Sequence, residues 1–297
     1  MPYRIRHWSR RELMQGLALG GLAVGLSTRS RAAAGSPKEA AMRRVFITGS
    51  TDGLGKLAAQ ALIAEGHQVV LHARSKERAA ALAELAPRAA GVVIGDLASA
   101  AETRAIAGQV NKLGRMHAVI HNAGVYQAAD RAATPEGHAR TLAVNTLAPY
   151  LLTALIERPD RLVYLSSSMH RGGSDSLHDI DWVERAWNEE QAYSDSKLYV
   201  TALALAVARH WPAVLCNAVD PGWVPTKMGG PGATDDLTMG YQTQAWLAVS
   251  DDAAARVSGG YWRHRKQDKP AVAAADPGFQ DRLMARLAEL SGTRLFT

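Results

Sequence analysis

From residue 43 onward, short hydrophobic runs alternate with longer segments rich in alanine, leucine and charged residues. The runs have the length of buried strands, and we predict strands at 45–47, 68–72, 91–94, 117–120, 161–165, 213–219 and 260–262. The segments between them predict helices at 54–65, 76–86, 100–113, 136–157, 192–210 and 277–290. Hydrophobic strands that alternate with helices are typical of a parallel sheet covered on both faces. We therefore predict an α/β fold, one doubly wound parallel sheet with helices on both faces, as a single domain over residues 43–297.

The basic excess of the chain lies at its N-terminus. The 297 residues include 34 Lys and Arg against 28 Asp and Glu, a formal net charge of +6. Residues 1–34 hold six of the basic residues and one acid, so the rest of the chain has 28 basic and 27 acidic residues. Because the folded body is nearly neutral, we expect no nucleic-acid partner.

The N-terminal segment has the three parts of an export signal. It begins with basic residues that include Arg10 and Arg11, continues with a glycine-rich hydrophobic stretch over 16–26, and ends in small residues at 32–35. The hydrophobic stretch is too short and too rich in glycine for a stable membrane span. The segment resembles a bacterial twin-arginine signal peptide. We predict a signal over 1–34, a linker over 35–42, the twin-arginine export machinery as a partner and a periplasmic protein; the alternative is a true start at Met42 and a cytoplasmic protein.

The cysteine and histidine residues of the sequence predict neither a disulfide nor a metal site. The one cysteine, Cys216, excludes an intramolecular disulfide and lies in a hydrophobic run, where we expect a packed thiol. The histidines are dispersed, without the spacing of metal ligands, so we expect no metal. His170 follows a run of serines, where we expect it to be solvated in a loop.

A glycine-rich loop follows the first predicted strand directly. Glycines at 49, 53 and 55 allow the backbone to turn tightly and to approach a pyrophosphate, and the next helix offers free N–H groups and a partial positive charge. The loop therefore predicts a nucleotide site. Its predicted cofactor-binding residues are Gly49, Ser50, Thr51, Asp52, Gly53, Leu54 and Gly55.

Tyr193 and Lys197 are four residues apart in a predicted helix, which sets both side chains on one face, one turn apart. A cation beside a phenol favours the phenolate, so we expect Lys197 to lower the pKa of Tyr193. A tyrosine of that kind can pass a proton at neutral pH. With the glycine loop, the pair predicts a nucleotide held at one end of a site and a proton moved at the other.

The Gly-x-x-x-Gly-x-Gly spacing, followed by Tyr193-x-x-x-Lys197, resembles the short-chain dehydrogenase/reductase family. Further motifs extend the resemblance over essentially residues 43–292, and the long gap between Ser167 and Tyr193 is similar to the retinol-dehydrogenase-like branch. The family implies a Rossmann fold and an NAD(P)-dependent enzyme acting on CH–OH groups. The other cofactor-binding residues that it implies are Asp96, Leu97, Asn122, Ala123, Gly124, Tyr193, Lys197, Pro221, Gly222, Val224 and Thr226.

The resemblance also implies four catalytic residues. By this resemblance, Tyr193 donates or accepts the proton, and Lys197 lowers the pKa of Tyr193 and holds the nicotinamide ribose. Ser167 hydrogen-bonds the carbonyl oxygen of the substrate, and Asn145 holds a water that is connected to Lys197. Residues 166, 167 and 168 are all serine, and alignment with the family pattern favours Ser167, with Ser168 next. His121 replaces the first asparagine of the family's Asn-Asn-Ala-Gly motif, where we expect only a loop hydrogen bond to change.

The residues after the second strand favour NADP(H), with NAD(H) as the second choice. Enzymes that prefer NAD commonly place an acid there, which binds the ribose hydroxyls and would repel a 2′-phosphate. This chain has Ala73 at that place and Arg74 beside it, and arginine can pair with a phosphate in a bidentate manner. Asp52 in the glycine loop counts, less strongly, against a phosphate nearby and so against NADP(H).

The sequence indicates a small carbonyl or alcohol compound as the substrate and does not identify that compound. We expect segments 169–192 and 226–258 to cover the pocket, and a medium-sized apolar ketone, aldehyde or secondary alcohol to fill it. The alternative function is a catalytically silent NADP(H)-binding regulatory protein of the same fold. The direction of hydride transfer and homo-oligomer formation are left open.

Overall fold

The computed structural model describes residues 42–126 and 129–296, and their strands form one eight-stranded sheet. The strands are β1 Arg44–Ile47, β2 Gln68–Ala73, β3 Gly91–Ile94, β4 Ala118–His121, β5 Arg161–Leu165, β6 Leu215–Asp220, β7 Gly260–Arg263 and β8 Lys266–Asp268. Their order across the sheet is β3-β2-β1-β4-β5-β6-β7-β8. Strands β1 to β7 are parallel, and β8 pairs antiparallel with β7.

Helices cover both faces of this sheet, as the sequence predicts. They are α1 Gly53–Ala64, α2 Lys76–Ala79, α3 Ala100–Lys112, α4 Arg140–Leu142, α5 Ala148–Leu155, α6 Glu189–His210, α7 Leu237–Val249, α8 Val272–Ala275 and α9 Pro277–Ser291. Helices α3, α5, α6 and α9 enclose one hydrophobic core, whereas α1 and α7 enclose the other. The doubly wound fold is thereby confirmed.

The winding of the chain reverses at β1, which pairs with β2 on one side and with β4 on the other. The connections from the two sides leave in opposite directions, so a crevice opens outside the carboxyl ends of these strands. Ligands of doubly wound sheets bind in this crevice.

Helix α6 lies in the middle of the larger core and carries the Tyr193–Lys197 pair. Every residue from Ala192 to Val207 is buried, because α6 packs on β5 and β6 with one side and on α8 and α9 with another. Asn188 begins the helix by accepting a hydrogen bond from the Gln191 amide at 2.9 Å. The paired side chains are therefore held on a rigid and dry element.

One helix prediction and one prediction of a segment that covers the pocket are wrong in part. The helix predicted at 76–86 ends after Ala79 and continues as 3₁₀ turns at Ala80–Leu82 and Ala86–Arg88, the second of which contains Pro87. The segment 226–258, expected to cover the pocket, contains α7, which packs beside α1 on the sheet. Only the part before Leu237 remains near the crevice.

The predicted signal peptide over 1–34 lies outside the described residues, as does the predicted linker except for Met42. Among the residues that the structure describes, no helix has the length and apolar character needed to cross a membrane.

Candidate active site

A cavity of about 480 Å³ opens at the carboxyl ends of the central strands. Residues that follow or end successive strands line it, in the order in which the sheet presents them. They are Asp96 after β3, Arg74 after β2, Gly49 after β1, Asn122 after β4, Leu165 at the end of β5 and Pro221 after β6. The cavity thus occupies the crevice where the topology predicts a ligand.

The glycine loop is packed tightly against the loop that follows β4. A Cβ atom on Gly55 would lie 2.4 Å from both Asn122 Nδ2 and the Gly49 carbonyl oxygen, and Gly49 itself has a φ of 69°. The Asn122 side chain donates to the Thr48 carbonyl at 2.9 Å, and Thr48 Oγ1 accepts from the amides of Asn122 and Ala123, both at 3.0 Å. Glycine is required here for close approach, which leaves backbone rather than side chains facing the cavity.

Helix α1 begins at the edge of the cavity. Asp52 caps it by accepting a hydrogen bond from the Gly53 amide at 2.8 Å, and Gly53 and Leu54 line the cavity. The amino end of a helix carries a partial positive charge and suits a phosphate. Lys227 Nζ lies 2.6 Å from Asp52 Oδ2, and this hydrogen bond is the main cause that lowers the pKa of the Asp52 carboxyl.

His72 is a cavity-lining residue to which sequence analysis gave no role. Its Nδ1 accepts from the Gly49 amide at 2.9 Å, and its Nε2 lies 2.9 Å from the Gly95 carbonyl oxygen, so the ring is neutral with its proton on Nε2. Burial lowers the His72 pKa, which agrees with this tautomer. The ring ties the glycine loop to the end of β3. The sequence could have indicated this role, because His72 lies near the end of the strand that neighbours β1 in the parallel sheet, beside the glycine loop.

Tyr193 and Lys197 lie at the inner end of the cavity. Lys197 Nζ is 5.4 Å from the centroid of the Tyr193 ring and donates a hydrogen bond to the Leu165 carbonyl at 2.8 Å. Both side chains are buried. The predicted one-turn juxtaposition on α6 is present, and the ammonium is anchored to the end of β5.

The prediction that the Tyr193 pKa is lowered is wrong. Burial raises the pKa of Tyr193 well above its ordinary value, a hydrogen bond from Ser167 lowers it less, and the charge of Asp220 raises it further. Burial also lowers the pKa of Lys197 to about 8, against an opposing effect of Asp220. Desolvation is therefore the largest influence on the pKa of both groups.

The three serines after β5 are placed differently. Ser166 borders the cavity, but its buried hydroxyl is 2.6 Å from Thr201 Oγ1. Ser168 is exposed. Ser167 is the serine whose hydroxyl lies near enough to Tyr193 to lower the pKa of the phenol, and it accepts a hydrogen bond from the Met169 amide at 3.2 Å. The geometry favours Ser167 as the partner of Tyr193, although Ser166 lies closer to the open cavity.

Asn145 lies in the π-helical turn Ala143–Leu147 between α4 and α5. Its Oδ1 accepts from the Val125 amide at 2.8 Å, and its Nδ2 donates to the Val125 carbonyl and to Ser196 Oγ, both at 3.0 Å. A Cβ on Gly124 would lie 3.4 Å from Asn145 Oδ1 and 3.5 Å from Lys197 Nζ. The asparagine therefore fastens the loop after β4 to α6 beside the lysine.

Most of the predicted cofactor-binding residues line the cavity, but several lie behind its wall. Those that line it are Gly49, Thr51, Asp52, Gly53, Leu54, Arg74, Asp96, Leu97, Asn122, Ala123, Gly124, Tyr193, Lys197, Pro221 and Thr226. Those behind it are Ser50, Gly55, Gly222 and Val224, together with the predicted catalytic residues Asn145 and Ser167. Cations that line the cavity and that sequence analysis did not name are Arg78, Arg140 and Lys227.

Comparison with known proteins gives consistent matches over most of the chain. A family model described as enoyl-(acyl carrier protein) reductase matches residues 49–253. The short-chain dehydrogenase chyC of Penicillium rubens is 40% identical over 258 residues, which are 86% of this chain and 99% of that protein. This chain belongs to the short-chain dehydrogenase/reductase family.

Two further matches place this short-chain dehydrogenase/reductase within its family. Human retinol dehydrogenase 13 is 30% identical, with 84% of this chain and 85% of that protein covered. A crystal structure of an uncharacterized protein from Mycobacterium paratuberculosis is 25% identical and superimposes with a TM-score of 0.73, covering 86% of this chain and 95% of the other. The resemblance to the retinol-dehydrogenase-like branch is confirmed, and the protein is an oxidoreductase of alcohol and carbonyl groups that uses a nicotinamide cofactor.

His121 lies in a strand and not in the loop, where we expected only a hydrogen bond to change. It is the last residue of β4 and is buried, with its ring stacked 4.5 Å from the Tyr164 ring and its Nε2 3.2 Å from Thr153 Oγ1. Burial lowers its pKa to about 3. In this short-chain dehydrogenase/reductase, His121, which replaces the asparagine of the family motif, is therefore a core residue beneath the loop that follows β4.

Proposed function

We propose that this enzyme transfers a hydride between NADP(H) and a small carbonyl or alcohol compound, with Tyr193 as the proton donor and acceptor. The observation that carries the proposal is a single cavity lined by the glycine loop and by the Tyr193–Lys197 pair, with Ser167 beside Tyr193. The bound nicotinamide supplies the hydride in reduction and accepts it in oxidation.

Tyr193 is suited to reduction. Because burial raises its pKa, the phenol stays protonated at neutral pH and can give its proton to the carbonyl oxygen as that oxygen gains charge. With a pKa of about 8, Lys197 is mostly protonated at pH 7, so its ammonium stabilises the tyrosinate that remains. The Ser167 hydroxyl, which lies beside Tyr193, can donate to the same oxygen.

Arg74 and Arg78 support NADP(H) over NAD(H). Both guanidinium groups line the cavity just after β2, where a 2′-phosphate on the adenosine ribose would lie, and Ala73 contributes no carboxylate there. The nearest acid on the glycine loop, Asp52, is paired with Lys227 at 2.6 Å and lies 3.8 Å from Arg78. Its charge is therefore offset.

The side chains around Tyr193 support an apolar substrate. The Tyr126 ring lies 4.5 Å from the Tyr193 ring, and Val125 and Met228 are apolar residues that line the same cavity. A medium-sized apolar ketone, aldehyde or secondary alcohol fits these surroundings. We also propose that residues 1–34 direct the protein to the periplasm through the twin-arginine machinery, on the strength of their sequence pattern.

A substrate panel tests this function. The purified protein is mixed with NADPH or NADH and a set of ketones and aldehydes, and loss of the reduced nicotinamide absorbance is followed. We expect turnover of at least one apolar carbonyl compound, faster with NADPH. Tight NADPH binding without turnover of any compound would instead favour the silent binding protein.

The cofactor preference is tested by Arg74→Ala. Loss of a charge-assisted bond to the phosphate should raise the dissociation constant for NADPH by about tenfold or more and leave that for NADH unchanged. Arg88→Ala is the matched control, because Arg88 is an arginine that does not line the cavity. Equal effects of Arg74→Ala on both cofactors would contradict the assignment of the phosphate site.

A further inference from the structure

The turn Ser168–Gly172, which follows Ser167, is held in place from the C-terminal part of the chain. His170 at its centre is fully buried rather than solvated, contrary to the expectation for a loop histidine. Its ring is stacked 4.6 Å from the Tyr261 ring of β7. A buried imidazole needs partners for both nitrogens, and this one has them.

Both ring nitrogens of His170 bond to backbone. Nε2 accepts a hydrogen bond from the Ala271 amide at 2.8 Å, so Nε2 carries no proton. The proton is therefore on Nδ1, which donates to the Ser167 carbonyl at 2.7 Å. The neutral ring forms a bridge between the backbone of Ser167 and the segment that precedes α8.

Arg171 makes a second connection to the same segment. Its Nη2 donates to Asp268 Oδ2 at 3.0 Å and to the Lys269 carbonyl at 2.6 Å, and its guanidinium lies 5.5 Å from the centroid of the Tyr261 ring. These bonds are exposed, whereas those of His170 are buried, so we expect His170 to dominate.

We infer that His170 is a positioning residue, which fixes the Ser167 carbonyl and thereby aims the Ser167 hydroxyl at Tyr193. The inference rests on the proposed function in one respect, namely that Ser167 acts on the carbonyl substrate. With its carbonyl fixed, Ser167 has an extended backbone with φ −165° and ψ 155°, and its hydroxyl accepts from the Met169 amide and lies beside Tyr193. A misplaced hydroxyl would lose its effect on the reaction while leaving the cofactor site intact.

The charged groups around His170 do not disturb its neutral state. Burial is the largest influence and lowers its pKa; Arg171 lowers it as well, whereas the Ser167 carbonyl, Asp220 and Asp268 raise it. The bridge is therefore present at neutral pH, with the ring acting as donor to one backbone and acceptor from the other.

Three substitutions separate the two bonds. His170→Phe keeps an aromatic ring for the stack and removes both bonds. His170→Asn places an amide N–H where Nδ1 lies and can restore the bond to Ser167. His170→Gln reaches further, places an oxygen where Nε2 lies and can restore only the bond from Ala271. Melting temperatures and NADPH dissociation constants are measured to establish that each variant folds and binds cofactor.

We expect His170→Phe and His170→Gln to lower kcat for the carbonyl substrate by about tenfold or more, and His170→Asn to retain most of it. The NADPH dissociation constant should be unchanged in all three. A purely structural role predicts that kcat follows melting temperature in every variant. Full activity of His170→Phe, or better rescue by Gln than by Asn, would overturn the inference.

A second measurement does not depend on turnover. Backbone hydrogen exchange over 166–173, followed by mass spectrometry, should be faster in His170→Phe than in the parent and close to the parent in His170→Asn. If the parent reduces no carbonyl compound, the proposed function fails, but these exchange rates still decide whether His170 holds Ser167. Equal exchange in the parent and His170→Phe would overturn the inference on its own.

Discussion

His121 ends β4 inside the core, where its environment keeps the ring neutral. Thr153 Oγ1 donates to the Pro149 carbonyl at 2.7 Å, so it accepts from the His121 Nε2 proton. The other ring nitrogen, Nδ1, is buried without a hydrogen-bond partner. Protonation would add an unpaired charge at this place, and the pKa of about 3 expresses that cost.

His121→Asn should reduce the pH dependence of stability. Because the His121 pKa lies below its ordinary value of 6.5, the unfolded chain binds the proton first, and the stabilisation present above pH 6.5 is lost as the pH falls toward 3. From this group alone, we expect the free energy of unfolding to be about 2 kcal/mol lower at pH 5 than at pH 7.

Urea unfolding of the parent and of His121→Asn at both pH values measures this difference. Other buried histidines whose pKa is lowered, such as His72, occur in both proteins, so their contributions cancel in the comparison. The same pH dependence in both proteins would contradict the burial of a neutral ring at 121.

Motif spacing alone locates the reactive side chains but does not give their protonation. The four-residue spacing predicts correctly that Tyr193 and Lys197 share a face of α6, since helix geometry depends only on position. The direction of the Tyr193 pKa depends on how much of the chain covers the phenol, and that burial comes from distant elements. His72 and His170 escaped prediction for the same reason, because their backbone partners are far away in sequence.

Helix α1 and the glycine loop form the element on which cofactor binding depends. Gly55 has no positive φ, so the need for glycine comes from the 2.4 Å approach of its Cβ position to the Asn122 side chain and the Gly49 carbonyl. The backbone oxygen cannot move without changing the loop. The third glycine of the motif is thus explained by packing rather than by conformation.

Gly55→Ala should therefore separate the two loops. We expect a loss of about 1–3 kcal/mol in the free energy of unfolding, from overpacking, together with weaker NADPH binding. Gly108→Ala is the matched control, because Gly108 is an exposed glycine of α3 whose Cβ position meets no atom within 4 Å. That change should stabilise the protein by about 0.5–1 kcal/mol. Denaturant unfolding and NADPH titration give both results, and a Gly55→Ala protein with parental affinity would contradict this account.

Strands were easier to predict than helices. The central strands are buried on both faces, and their hydrophobic runs place most strand ends within one or two residues of the observed ones. Helix α7 lacked a comparable signal, since its buried residues include Gly240, Thr243 and Gln244. Its identity as a helix depends on tertiary contact with α1 and on the cap from Asp236.

At the scale of the whole molecule, the described residues have a complete sheet and two hydrophobic cores. We propose from their sequence pattern that residues 1–34 act as an export signal, and twin-arginine export carries proteins that are already folded. This pathway is compatible with an enzyme that must retain a nucleotide. Cytoplasmic residence from a start at Met42 is the competing possibility.

Replacement of Arg10 and Arg11 by lysine tests the predicted export signal. In a bacterium with twin-arginine machinery, the full chain should yield a shortened form in the periplasmic fraction, and the double variant should remain uncleaved in the cytoplasm. Fractionation with N-terminal sequencing distinguishes the two. A parent chain that stays in the cytoplasm would refute export.

The central claim is that Tyr193 moves the proton of the reaction, and Tyr193→Phe tests it most directly. The variant keeps the ring and loses only the hydroxyl beside Ser167, so NADPH affinity should stay close to that of the parent. On a carbonyl substrate that the parent reduces, kcat should fall about 100-fold or more, the scale of a lost general acid. The decisive measurement is single-turnover oxidation of bound NADPH in parent and variant: collapse of the rate with intact binding is the predicted result, and an unchanged rate would contradict the account.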